Sequence, residues 1–305
     1  IARKSANTSH PEAHFRHPRI SALNEALLHG AARTPAHTEE MHDIRCILKG
    51  HLRHFVDVYT IDTIIVENAL ALPLNIPLGV ALTEFLVETG IPTIAHHHDF
   101  AWERQRFSRT QAPEYIDMAF PPHTLEHVAH ITINTNATRA LWQRKGLRAI
   151  TAPNVMDFAH PPTPLDVSRE MAIRRAFGIS SGTRIFLQPT RIVPRKDIEL
   201  SIRLVSMLPG RNVLVVSHAS GDEDNGAYEA HLAEYATSLG VHIVFAAERV
   251  AEYVGKERAM CTLDELYELS DMVLYPSAWE GFGNALLEAV HHKKPLLVRR
   301  YPVYT

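Results

Sequence analysis

Short apolar, β-branched runs recur along the chain and alternate with polar, helix-like stretches. DTIIVEN (62–68), IPTIAHHH (91–98), HITINTN (130–136) and RAITAPN (148–154) make a first series. After the Pro-rich PNVMDFAHPPTP (153–164) and the charged helical pattern SREMAIRRAFG, the rhythm restarts. RIFLQP (184–189), NVLVVSH (212–218), VHIVFAA (241–247), DMVLYPS (271–277) and KPLLVRR (294–300) form the second series. Strands alternating with helices predict parallel sheets in an α/β fold. The restart predicts an N-terminal unit over 1–153, a linker over 154–168 and a C-terminal unit over 169–305.

A length of 305 residues fits two domains with substantial cores. With 46% hydrophobic residues, 21% charged residues and a net charge of -3, the composition is that of an ordinary soluble protein and argues against a nucleic-acid partner. The longest apolar stretch, 70–87, is interrupted by Pro73, Asn75, Pro77 and Glu84 and predicts a buried helix, not a membrane span. Peripheral contact with the inner face of a membrane stays open. Cys46 and Cys261 form no disulfide framework or CxxC pair, which fits a reducing, cytoplasmic setting. The chain opens without Met and stops after LLVRRYPVYT, where a further helix is expected. Both ends therefore read as cut, with the first strands of the N-terminal unit missing.

Chemistry in parallel sheets collects at the carboxyl ends of strands, and four such places carry candidate residues. In QPTRIVPRKDIEL, Arg191 and Lys196 stand between a strand and a helix start, where two cations and free N–H groups suit a phosphate. Taken alone, they fit solvated loop charges better. In WEGFGNALLE, Gly281 and Gly283 allow close backbone approach to a ligand, while Glu288 lies one turn inside a helix starting near Asn284, within reach of a diol. For the spacing alone, two surface acids flanking a buried helix start are the better explanation.

The third place is IAHHHDFAWERQRF. Three consecutive histidines invite a metal, but strand alternation puts His96 and His98 on one side and His97 on the other. The fourth follows DTIIV, where Glu67 and Asn68 stand at the strand's carboxyl end, although Asn68 is also a good helix cap.

Taken in series, E-G-F-G-N-A-L-L-E (280–288), Arg191 and Lys196 after their strand, PNVMDF (153–158) and LDELYELSDMVLYPS (263–277) resemble the retaining GT-B glycosyltransferases of family 4, the group 1 glycosyl transferases. The resemblance implies two Rossmann-like domains with parallel sheets facing across a cleft. It also implies hexosyl transfer from a UDP-, GDP- or ADP-sugar to a glycan, lipid-linked or small-molecule hydroxyl acceptor, with retention and with neither cofactor nor metal.

By that resemblance, Arg191 and Lys196 bind the donor pyrophosphate and Glu288 the ribose. Glu280 and the backbone of Gly281, Phe282 and Gly283 meet the transferred sugar beside Asn284. His98 and Asp99 face the cleft, and the catalytic set is His98, Asp99, Arg191, Lys196 and Glu280. Trp102, Glu103 and Arg104 join Glu67 and Asn68 as acceptor-side candidates. The rivals are a GT-B-like epimerase or phosphorylase, a metal-dependent hydrolase built on the histidines, and a silent binding domain.

Overall fold

The computed structural model describes residues 9–123, 125–219, 226–251, 260–300 and 303. It divides into two compact units, Ile1–Pro153 and Asn154–Thr305.

The first unit contains α1 (Pro18–Leu28), α2 (Pro35–Tyr59), β1 (Ile64–Glu67), α3 (Ile76–Thr89), β2 (Thr93–His97), α4 (Pro113–Ala119), β3 (Val128–Thr132), α5 (Thr135–Lys145) and β4 (Ala149–Thr151). Its strands are parallel in the order β1-β2-β3-β4. The buried helix expected over 70–87 forms as α3, but only after turns over 70–74. It starts at Asn75, whose side chain accepts from the Leu78 N–H at 3.0 Å, and ends at Gly90 in the left-handed region. Phe120 packs against this helix at Gly79, where an added Cβ would meet the ring at 2.2 Å, so a side chain there would expel the ring.

The strand signal in HITINTN overruns. β3 stops at Thr132, because Asn134 turns its carboxamide onto the Ala137 N–H at 2.8 Å and caps α5. A short polar side chain that can bond its own backbone favours the cap over the ladder.

The second unit contains α6 (Val167–Ala176), β5 (Arg184–Gln188), α7 (Ile198–Ser206), β6 (Asn212–Val216), α8 (Ala227–Ser238), β7 (His242–Phe245), α9 (Leu263–Leu269), β8 (Met272–Tyr275), α10 (Asn284–His291) and β9 (Leu296–Val298). The sheet is parallel in the order β7-β6-β5-β8-β9. Its strands bury both faces: Leu187, Val213, Val215 and Val273 join one core, Phe186, Leu214, Val216 and Leu274 the other. That explains their unbroken apolar runs.

From β5 the chain winds outward through β6 and β7, then returns to place β8 on the opposite side of β5. The β5–α7 and β8–α10 loops therefore leave neighbouring strands in opposite directions, which opens a crevice at the sheet's carboxyl edge. Among the described residues, no helix is long and apolar enough to cross a membrane.

Candidate functional site

The crevice of the second unit is built from the β5–α7 loop. Gln188 is fully buried, and its amide nitrogen donates to the Lys196 carbonyl at 2.9 Å and to the Thr190 hydroxyl at 3.2 Å, curling the loop back over the strand end. A single 3-10 turn, Pro194–Lys196, leads to Asp197 at φ 50, where α7 starts. Arg299, just beyond β9, holds the Asp197 carboxylate at 2.6 Å.

This turn delivers Lys196 into the protein, where only 7% of the residue is exposed, and the ammonium pairs with the Glu280 carboxylate from the β8–α10 loop. Arg195 adds hydrogen bonds to the same carboxylate at 3.3 Å and to the Trp279 carbonyl at 3.2 Å, while the Ala278 N–H donates to the Arg195 carbonyl at 2.8 Å. The two loops are thereby tied across the crevice.

Burial pushes the Lys196 ammonium down to about 8; the Arg195 and Arg191 charges add to that and Glu280 opposes it. Burial works to raise the Glu280 carboxyl, but the Lys196 charge and hydrogen bond hold it below its ordinary value. Both groups are ionised at neutral pH.

Glu288 lies in the second turn of α10, which starts beyond Gly283 at φ 90, a left-handed conformation that glycine adopts at no cost. Its carboxylate accepts a 2.7 Å hydrogen bond from the hydroxyl of Tyr267, a fully buried residue of α9. The capping box of Thr262 and Glu265 fixes the start of α9 and so the height of Tyr267. Gly281, Phe282 and Gly283 are half-buried, and Asn284 is exposed with its side-chain Oδ1 accepting a 2.8 Å bond from the Asn154 side-chain amide.

Three residues of this crevice were not singled out from the sequence. Arg195 stood between the two cations that were named. Tyr267 lay inside LDELYELSDMVLYPS without being read as a site residue. His218 ends the run NVLVVSH, two positions past the end of β6, and that position was the available signal. Its imidazole is pushed down to about 4 by burial and by the charges of Lys196 and Arg191, and Nδ1 lies 2.7 Å from the Ser217 hydroxyl.

In the first unit, the carboxyl ends of β1 and β2 bring Glu67, His96 and His98 together. His96 Nδ1 and His98 Nε2 lie 2.9 and 3.1 Å from the same carboxylate oxygen of Glu67. His97 points to the other face as alternation requires and is buried, with Nε2 2.9 Å from His130 Nδ1. Burial, then the charge each other histidine would carry, pushes His97 down to about 3, and burial takes His130 to about 4.

Asn68, at φ 59, accepts from the His98 N–H at 3.0 Å and the Asp99 N–H at 3.4 Å. Asp99 pairs with Arg104. Two of the acceptor-side candidates serve their own loop. Glu103 accepts from the Phe100 N–H at 2.8 Å, and burial pushes its carboxyl up to about 7, while Trp102 stacks on Phe100 at 4.3 Å.

A doubly wound sheet with a cation-lined crevice at its switch point, in a chain carrying a second parallel α/β sheet, defines the GT-B class of glycosyltransferase folds. Residues 170–305 match the sequence model of the family described as "Glycosyl transferases group 1", which places the second unit in that family. The mannosylglucosylglycerate synthase of Thermotoga maritima is 37% identical over 265 residues, which is 80% of this chain and 58% of the relative's own length.

Among solved structures, Anabaena HepE in complex with UDP and glucose superposes with a TM-score of 0.58 at 17% identity, covering 82% of this chain and 62% of that one. A glycosyltransferase from Rickettsia africae gives a TM-score of 0.61 at 12% identity over 89% of this chain and 64% of its own. These two likenesses speak for the fold.

Proposed function

We propose that this chain is part of a retaining glycosyltransferase of family 4 that moves a hexosyl group from a nucleotide-diphosphate sugar to a hydroxyl acceptor. The observation that carries the reading is the buried Lys196–Glu280 pair, backed by Arg195 and Arg191, at the switch point of the second sheet. A pyrophosphate in that crevice would take up the positive charge that one carboxylate leaves over. As the glycosidic bond to the phosphate breaks, Arg191 and Lys196 stabilise the charge developing on the leaving diphosphate. The acceptor hydroxyl attacks from the face the phosphate leaves, so no enzymic nucleophile is needed.

Glu288, oriented by Tyr267, holds the ribose hydroxyls. Glu280, with the backbone at Gly281, Phe282 and Gly283, meets the sugar beside Asn284. His98 and Asp99 stand on the acceptor side with Glu67, Asn68 and Arg104. The organisation that goes with this reading is an N-terminal acceptor-side domain over 1–153, a linker over 154–168 and a donor-binding domain from 169.

The product named for the Thermotoga maritima relative supports a mannosyl donor and a small acceptor bearing a carboxylate. UDP in the Anabaena structure supports a nucleotide donor without choosing among UDP, GDP and ADP. The test is a screen of nucleotide sugars for thermal stabilisation and transfer by the full-length protein. One nucleotide sugar is expected to raise the unfolding temperature. The stabilisation and the transfer should both collapse in the Arg191→Ala, Lys196→Ala double variant. Near-normal turnover by that variant overturns the assignment.

A further inference from the structure

We propose that Glu67, His96 and His98 bind one divalent first-row transition-metal ion, with Zn²⁺ as the best fit. The three ligand atoms, two imidazole nitrogens and a carboxylate oxygen, lie within 4.8 Å of one another. Metal–ligand bonds of about 2.0–2.1 Å at angles between octahedral and tetrahedral set neighbouring ligand atoms about 2.9–3.4 Å apart. The separations of 2.9 and 3.1 Å from the Glu67 oxygen to the two imidazole nitrogens fall in that range. Two imidazoles and one carboxylate favour zinc and its transition-metal neighbours over Mg²⁺ and Ca²⁺, which take oxygen ligands. Three protein ligands leave room for water or another oxygen ligand.

The backbone holds this arrangement ready. Glu67 and His96 are register partners on the adjacent parallel strands β1 and β2, and His98 follows two positions later on the same side. Asn68 fixes the turn by accepting from the N–H groups of both His98 and Asp99. The second nitrogen of His96, Nε2, is buried without a hydrogen-bond partner among the described residues, so Nδ1 is the atom that an arriving ion meets. Glu67 is the open side of the site, with 60% of its side chain exposed, which gives the ion a route in.

Glu67 and His98 are also proposed acceptor-side residues, but the ion is given no step in sugar transfer and the inference does not depend on that reading. Its test is metal binding by the full-length protein after stripping with a chelator. Titration with Zn²⁺ should show one equivalent that excess Mg²⁺ does not displace, and Co²⁺ in its place should give a visible absorption band. His96→Ala and His98→Ala should each weaken that equivalent at least about 100-fold, more than the ~10–100-fold expected from loss of an outer partner. Glu67→Gln, isosteric and exposed, should weaken it as well and guards against a histidine variant that fails to fold. Zn²⁺ should raise the unfolding temperature of the wild type and not of the variants. If the stripped wild type takes up no stoichiometric ion, or if Glu67→Gln and the folded histidine variants bind as the wild type does, the two imidazoles simply hydrogen-bond the carboxylate and the proposal is wrong.

Discussion

The Lys196 ammonium and the Glu280 carboxylate form an ion pair in which the side chains are only 9% and 8% exposed, between loops that leave neighbouring strands in opposite directions. Removing one partner leaves the other buried and uncompensated. Glu280→Gln should therefore cost about 3–5 kcal/mol of stability. Replacing both residues with apolar groups of similar volume should recover most of that loss. Urea unfolding of the three proteins checks this; a loss below about 1 kcal/mol in the single variant would contradict the pairing.

Tyr267→Phe removes the hydroxyl that holds the Glu288 carboxylate at 2.7 Å. Glu288 is only half-buried and can turn to water, so the fold should lose little. A ribose contact made by an oriented carboxylate should weaken by about 1.4 kcal/mol, roughly tenfold in nucleotide affinity. Calorimetric titration with the matching nucleoside diphosphate reads this directly, and unchanged affinity would remove Glu288 from the donor site.

His97 and His130 have folded-state values of about 3 and about 4, below the ordinary 6.5. The unfolded chain therefore takes up protons that the folded core refuses. Stability should be complete above pH 6.5 and fall as the pH drops from there toward 4, by about 1.4 kcal/mol per pH unit for each histidine. His130→Gln should flatten that slope by about one proton, measured as unfolding free energy against pH. An unchanged slope would mean that the pair does not set the acid limit.

Asn68 combines a left-handed backbone with two accepted hydrogen bonds. Asn68→Gly keeps the first and loses the second, whereas Asn68→Ala loses both. The alanine variant should be less stable than the glycine variant by about 1 kcal/mol, the cost of forcing a side chain into that region. Thermal unfolding of the pair tests this, and equal stabilities would assign the whole effect to the hydrogen bonds.

The alternation of strands and helices was legible because a parallel strand buried on both faces must be apolar throughout, as in RIFLQ and NVLVV. Strand ends were less so, since a cap such as Asn134 acts through a local bond that hydrophobicity does not record. Arg191, Lys196, Glu280 and Glu288 became candidates by standing after strands, and their roles came from the family resemblance. That Lys196 and Glu280 touch could not, because the contact depends on which strands become neighbours. The same holds for Glu67: alternation put His96 and His98 on one side, but only the register of β1 against β2 makes Glu67 their third member. Trp102 and Glu103 looked available to a substrate because the sequence does not show a side chain folding back onto its own loop.

The bonds from Arg195 and Lys196 to Trp279 and Glu280 join positions 85 and 84 apart in the chain. The segment between them carries β6, β7 and β8, and closing so long a segment slows the step. The indole of Trp279, 5.9 Å from the Arg195 guanidinium, is thus a built-in reporter of late assembly. With Trp102 and Trp142 replaced by Phe, its fluorescence during refolding would follow completion of the crevice and not the earlier appearance of helix.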